Sequence, residues 1–157
     1  MRTSVAVLIC GVLGARTAAA DDGADGPHLL YAELLGKGGL YGVGYEYRFA
    51  PRLAVGGAGS IAIVRGQRIE TIVPYLHATL LGRRDALFGE LGGVVEHSVI
   101  ASRVPDWDGA SKTGSGGFAS LGYEHARHRH VIRASASLVA GAGGVSPWLG
   151  FAIGARP

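Results

Sequence analysis

The sequence predicts an all-β fold, eight antiparallel strands running up and down into a closed barrel, and three observations predict it. From about residue 28 onward, bulky apolar residues alternate with small or charged ones and no helical period is visible, as happens when successive side chains point to opposite faces of a strand. Glycine, 27 of 157 residues, falls inside this alternation as well as in turns. Short turn-like clusters break the pattern at GKGG 36–39, APR 50–52, RGQR 65–68, GRRD 82–85, ARHRH 126–130 and GAGGVS 141–146, and they divide it into an even number of runs, as single-chain bacterial barrels require.

The elements follow in order. Arg2, an apolar run over 5–13 and Ala18-Ala19-Ala20 predict a cleaved signal peptide over 1–20, because a charged start, a short apolar stretch and an A-x-A site are what secretion uses. That run is too short to span a bilayer as a helix. Ile9 before Cys10 does not fit a lipidation site, and cleavage after Ala20 leaves no cysteine. Residues 21–27 read as a short flexible segment, and the barrel is expected over 28–157. Its strands lie near 28–36, 39–50, 52–64, 69–81, 85–97, 113–125, 130–141 and 146–156. Most reach the 9 to 11 residues that a tilted membrane-crossing strand needs.

The faces can be read from the side chains. Along the second strand Tyr41, Val43, Tyr45, Tyr47 and Phe49 oppose Gly42, Gly44, Glu46 and Arg48. Leu53, Val55, Ile61 and Ile63 oppose Ala54, Gly56, Ala58, Ser60 and Ala62 on the third. Leu87, Leu91 and Val95 oppose Glu90 and Glu96, and Leu121 and Tyr123 oppose Ser120, Gly122 and Glu124. Ile132 and Leu138 oppose Arg133, Ser135 and Ser137; Leu149, Phe151 and Ile153 oppose Gly150, Ala152 and Gly154. A face of glycine, alanine and serine solvates poorly and has too little volume for a dry core. It suits the cramped inside of an eight-stranded barrel whose bulky residues meet hydrocarbon. The predicted fold is therefore a transmembrane β-barrel, with Tyr41, Val43, Tyr45, Tyr47, Phe49, Leu53, Leu121, Leu149 and Phe151 facing lipid.

Glu33, Glu46, Arg48, Glu90, Glu124 and Arg133 all fall on the small face. A charge at the lipid midplane costs about 2–4 kcal/mol, and an unpaired one in a dry lumen is costly too; an acid and base network that plugs the lumen removes both problems. The fourth strand is less regular. Pro74 cannot donate to a ladder, so a bulge or distortion is expected there, with Ile72, Leu76 and Leu80 outward and His77 and Thr79 inward.

GLYGVGYEYRFAPRLAVGGAGS at 39–60 and PWLGFAIGARP at 147–157 resemble the small bacterial outer-membrane β-barrel proteins of the OmpA and OmpX type, the aromatic-rich YEYRF and tight APR turn being similar to that family's periplasmic hairpins. The resemblance covers 28–157 in pattern and rests on no diagnostic motif. It implies an outer-membrane location in a Gram-negative cell envelope, contact with lipid and lipopolysaccharide, and folding by the barrel-assembly machinery. Such barrels usually end on an aromatic residue that this machinery reads, whereas this chain ends Ala155-Arg156-Pro157. The even strand count puts both termini in the periplasm and the longest connection, 98–112, outside. There Asp106, Trp107, Asp108 and Lys112 form the expected contact surface, and Lys37, Arg65, Arg68 and Lys112 could pair with lipopolysaccharide phosphates.

Chemistry is sparse. VEHSV at 94–98 invites comparison with lipid A deacylases, yet His97 and Ser98 are adjacent and point to opposite faces. HARHRH at 125–130 and Asp106 with Asp108 are read as a cationic turn and a solvated loop, not as metal sites. No cofactor is expected. The net charge of +3 is spread without a basic stripe, which excludes nucleic acid as a partner. The reading is a non-enzymatic structural or surface-interaction barrel. Its alternatives are a lipid A-modifying barrel enzyme and a soluble periplasmic barrel for a hydrophobic ligand.

Overall fold

The computed structural model describes residues 26–37, 39–64, 67–100 and 109–157. The expected signal peptide, most of segment 21–27, Arg65, Asp106, Trp107 and Asp108 lie outside the described residues. Eight strands follow one another: β1 (His28–Gly36), β2 (Gly39–Ala50), β3 (Leu53–Val64), β4 (Gln67–Leu81), β5 (Asp85–Ile100), β6 (Ala110–Arg127), β7 (His130–Gly141) and β8 (Gly144–Ala155). Each pairs antiparallel with its sequence neighbour, and β1 pairs with β8 to close the barrel. Closure removes the unpaired edges that an open sheet would present along its length.

β5 and β6 run further than the side-chain pattern implied. Ser98, Val99 and Ile100 pair with Lys112, Ser111 and Ala110, because ladder hydrogen bonds come from the backbone and continue where apolar alternation has stopped. The walls therefore differ in height. Pairing of β2 with β3 ends at Val43↔Gly59 and that of β6 with β7 at Gly117↔Ala140. Beyond those points β3, β4, β5 and β6 stay paired with one another up to Val64, Gln67, Ile100 and Ala110. A four-stranded sheet thus stands above the rim at the end away from the termini.

Inside and outside are inverted relative to a water-soluble barrel. Val43, Leu91, Leu121 and Leu149 are 69%, 66%, 65% and 71% exposed, and every strand adds further exposed apolar side chains, while Glu33, Glu46, Glu90, Glu124 and Arg133 are buried. The lumen also holds rings, which corrects the expectation of an inner face made of tiny and charged residues. Tyr31, Tyr75, Phe88 and Phe118 are buried there, and glycines on adjacent strands are their seats. A Cβ at Gly44 would strike the Tyr31 ring, at Gly56 the Tyr75 ring, at Gly122 the Phe88 ring, and at Gly92 the Phe118 ring. Glycine on the inner face makes room for an aromatic neighbour, so the lumen reaches a packed volume that counting small residues misses.

Two irregularities are local. Leu35 has φ 50°, a left-handed conformation that is costly without glycine; Leu34 and Leu35 both face outward and Gly36 faces in, so the tip of the β1–β2 hairpin turns over the lumen. On β4, pairing with β5 lapses at Val73 and Pro74 but resumes in the same register, Ile72↔Val95 and Tyr75↔Gly92. Proline interrupts the ladder there without shifting it.

Candidate functional site

The lumen charges converge because β2, β5, β6 and β7 each turn one charged position inward at nearly the same height. Arg133 on β7 is the hub. Its Nη1 and Nη2 donate to Glu46 Oε2 and Oε1 at 2.8 and 3.0 Å, and its Nε donates to Glu124 Oε2 at 2.7 Å. This fork is the geometry in which guanidinium and carboxylate pair best. Its guanidinium carbon also lies 5.3 Å from the centroid of the Phe88 ring. Arg156, just past β8, donates to the other Glu124 oxygen at 3.1 Å. His77 stacks on Phe88 and sets Nδ1 3.3 Å from Glu90 Oε1.

The tip of the first hairpin completes the network from above. Lys37 Nζ donates to Glu90 Oε2 at 2.9 Å and lies 3.5 Å from Glu33 Oε1, while its backbone N–H also donates to Glu33 Oε1 at 3.2 Å. The ammonium sits over the rings of Tyr75 and Tyr31, 4.5 and 5.3 Å from their centroids. The Tyr31 and Tyr75 hydroxyls are 2.8 Å apart, and Tyr75 donates to Glu46 Oε2 at 3.3 Å. Ser120 Oγ donates to Glu90 Oε2 at 3.3 Å. Among the buried side-chain atoms of the described residues, Glu33 Oε2 and His77 Nε2 meet no hydrogen-bond partner.

Glu46, His77 and Glu90 bring donor atoms within 4.8 Å of one another, a set that a transition metal could use. Arg133 and Lys37 already pair with those carboxylates, so as it stands the arrangement is an ion-pair network. Each of the four carboxylates has at least one oxygen paired with a cationic side chain.

Of the residues singled out from sequence, Glu33, Glu46, Glu90, Glu124 and Arg133 meet in this network, and Arg48 is half-buried on the same face. Tyr41, Val43, Tyr45, Tyr47, Phe49, Leu53, Leu121, Leu149 and Phe151 are all exposed on the outer face. Lys112 is exposed on the tall hairpin. Lys37 is a correction: the sequence puts it at the outer rim for lipid phosphates, whereas its amine is buried among acids. Arg68 pairs with Glu70. Lys37, Arg156, Tyr31 and Tyr75 were not anticipated in the network. Lys37 comes from a turn, Arg156 from beyond the last strand, and the tyrosines carry no charge to betray them. His97 bonds Thr113 Oγ1 across the tall hairpin at 2.9 Å, which ties two strands and leaves Ser98 without it.

No family model matches this sequence, and no curated protein matches it significantly. Among solved structures, the N-terminal β-barrel domain of Pseudomonas aeruginosa OprF is similar, with TM-score 0.55 and 12% identity over 83% of this chain and 98% of that one. Ail, the attachment invasion locus protein of Yersinia pestis, aligns with TM-score 0.45 and 15% identity over 82% of this chain and 91% of its own. The likeness to the OprF domain is one of fold: a closed eight-stranded antiparallel barrel.

Proposed function

We propose that this closed barrel works in a bacterial outer membrane as a structural or surface-interaction protein with a sealed polar lumen. The observation that carries the reading is the inversion of its faces: bulky apolar side chains are exposed on all eight strands while the carboxylates and Arg133 are buried inside. In water such a band would aggregate, whereas in hydrocarbon it is the favourable surface. A soluble barrel for a hydrophobic ligand would need the opposite arrangement. Export by the signal over 1–20 and folding by the assembly machinery belong to the same proposal.

The interaction surface is the four-stranded sheet above the rim. Along 110–116, ASKTGSG, β6 pairs with β5 alone among the described residues, so its other edge offers backbone donors and acceptors to an extended segment of a partner. Lys112 lies on this edge and Arg68 stands on the same sheet. The role proposed is non-enzymatic; His97, the base that a deacylase-like site would need, bonds Thr113 and not Ser98.

The test is fractionation followed by electrophoresis with and without boiling. Outer-membrane recovery and a heat-dependent shift in mobility are expected. Recovery in the soluble periplasm overturns the proposal. A change in lipid A acyl chains on deletion of the gene, read by mass spectrometry, would overturn the non-enzymatic part alone.

A further inference from the structure

The end of the barrel that carries the termini is lined with arginine. Its three turns expose Arg52, Arg83, Arg84, Arg127 and Arg129, with His128 and His130 beside them. Asp85 is the single acidic residue in or next to these turns, and it is occupied by the Tyr123 hydroxyl at 2.6 Å and His125 Nδ1 at 2.7 Å. At the opposite end Lys37 is drawn into the lumen and Arg68 is paired. Among the described residues, five exposed arginines on this rim stand against Arg68 and Lys112 at the other end.

This rim is rigid. Four backbone hydrogen bonds cross it outside the strand ladders: Arg48 N–H to Pro27 O, Thr79 N–H to Arg52 O, Ala126 N–H to Arg84 O and Arg156 N–H to Arg129 O. Each of the three turns is thus tied to the next strand round through the carbonyl of an arginine. A fixed backbone leaves only side-chain entropy to lose when those guanidinium groups bind. The depth is marked as well. Tyr47, Phe49 and Tyr123 are exposed on the outer face a few residues from the turns, and His28 packs against Tyr45 and Tyr47. Aromatic side chains of this kind sit at headgroup level, which puts the arginines beyond it, beside the phosphates.

We propose that this rim is a binding surface for anionic glycerophospholipids of the leaflet nearest the termini, with Arg52, Arg84, Arg127 and Arg129 taking the lipid phosphates. The proposal rests on the membrane reading above. Guanidinium forks match phosphate oxygens, and a headgroup with net negative charge is preferred to a zwitterionic one, whose ammonium is repelled.

The mature chain is inserted into nanodiscs holding equal amounts of phosphatidylglycerol and phosphatidylethanolamine, and the lipids that it retains are counted by native mass spectrometry. Phosphatidylglycerol is expected to be retained at least about fivefold over its partner, the factor that a single basic residue supplies near an anionic surface. The variant R52Q/R84Q/R127Q/R129Q falls to parity, and R127Q/R129Q, which alters one turn only, falls part of the way. R68Q/K112Q at the other end keeps the wild-type ratio. Parity in the wild type, a preference that survives the fourfold variant, one left undiminished in R127Q/R129Q, or one lost in R68Q/K112Q overturns the proposal. Mobility before boiling is read alongside: a closed, inserted barrel without lipid preference sinks this inference alone, whereas failure to insert sinks the membrane reading with it.

Discussion

An alanine at Gly56 drives its methyl into the Tyr75 ring, whereas one at Gly57, the next residue, meets nothing within 4 Å. Overpacking of this kind costs about 1–3 kcal/mol. Gly56→Ala is therefore expected to lower the urea midpoint of the barrel in lipid vesicles while Gly57→Ala leaves it unchanged; equal midpoints would deny the seat. Arg133→Met is expected to be more damaging. It strips Glu46 of both guanidinium bonds and leaves Glu124 with Arg156, and breaking a buried pair costs about 3–5 kcal/mol, read as a large loss of folded yield in the same vesicles. The alternation that placed Glu46 and Arg133 on one face was legible because side-chain period in a strand is two. That glycine at 56 serves a tyrosine at 75 was not, since the pairing of β3 with β4 is what brings them together.

Strand limits were readable wherever apolar alternation stopped at a turn, and they were misjudged at the β5–β6 hairpin, where the ladder carries on through Lys112, Ser111 and Ala110. Polar hairpin tops contribute little to closure. Replacing 101–109 by Asn-Gly, a two-residue link that suits paired strands, is expected to leave the unboiled mobility of the barrel intact; loss of the shift would mean that the connection helps to hold the wall. Pro74 offers a second element-level test. With a residue that can donate, as in Pro74→Val, the amides of Gly93 and Val94 facing the lapse are expected to exchange hydrogen more slowly. Proline's missing donor was plain in the sequence, but whether the strand would bulge depended on the register on either side, which stays constant.

For the whole molecule the sharpest expectation concerns orientation of the faces. Val43 is 69% exposed on the outer wall and Ser60 lies half-buried on the inner one. Arginine at a lipid-facing midplane position costs about 2–4 kcal/mol, so Val43→Arg is expected to impair insertion into liposomes far more than Ser60→Thr, and equal yields would refute the assignment. The overall architecture was legible because it follows from a repeated two-residue pattern. The centre was only half legible, because Lys37 and Arg156 reach it from outside the strands. Their positions along the chain bear on biogenesis. The acids Glu33, Glu46, Glu90 and Glu124 belong to β1, β2, β5 and β6; Lys37, between β1 and β2, serves Glu33 and Glu90, whereas the guanidinium partners of Glu46 and Glu124, Arg133 and Arg156, come from β7 and from just beyond β8. A chain with six strands made holds all four of these acids but, of Lys37, Arg133 and Arg156, only Lys37. The last hairpin therefore brings both the guanidinium that completes the interior and the strand that meets β1, so maturation of the interior and sealing of the seam depend on the same late-made element.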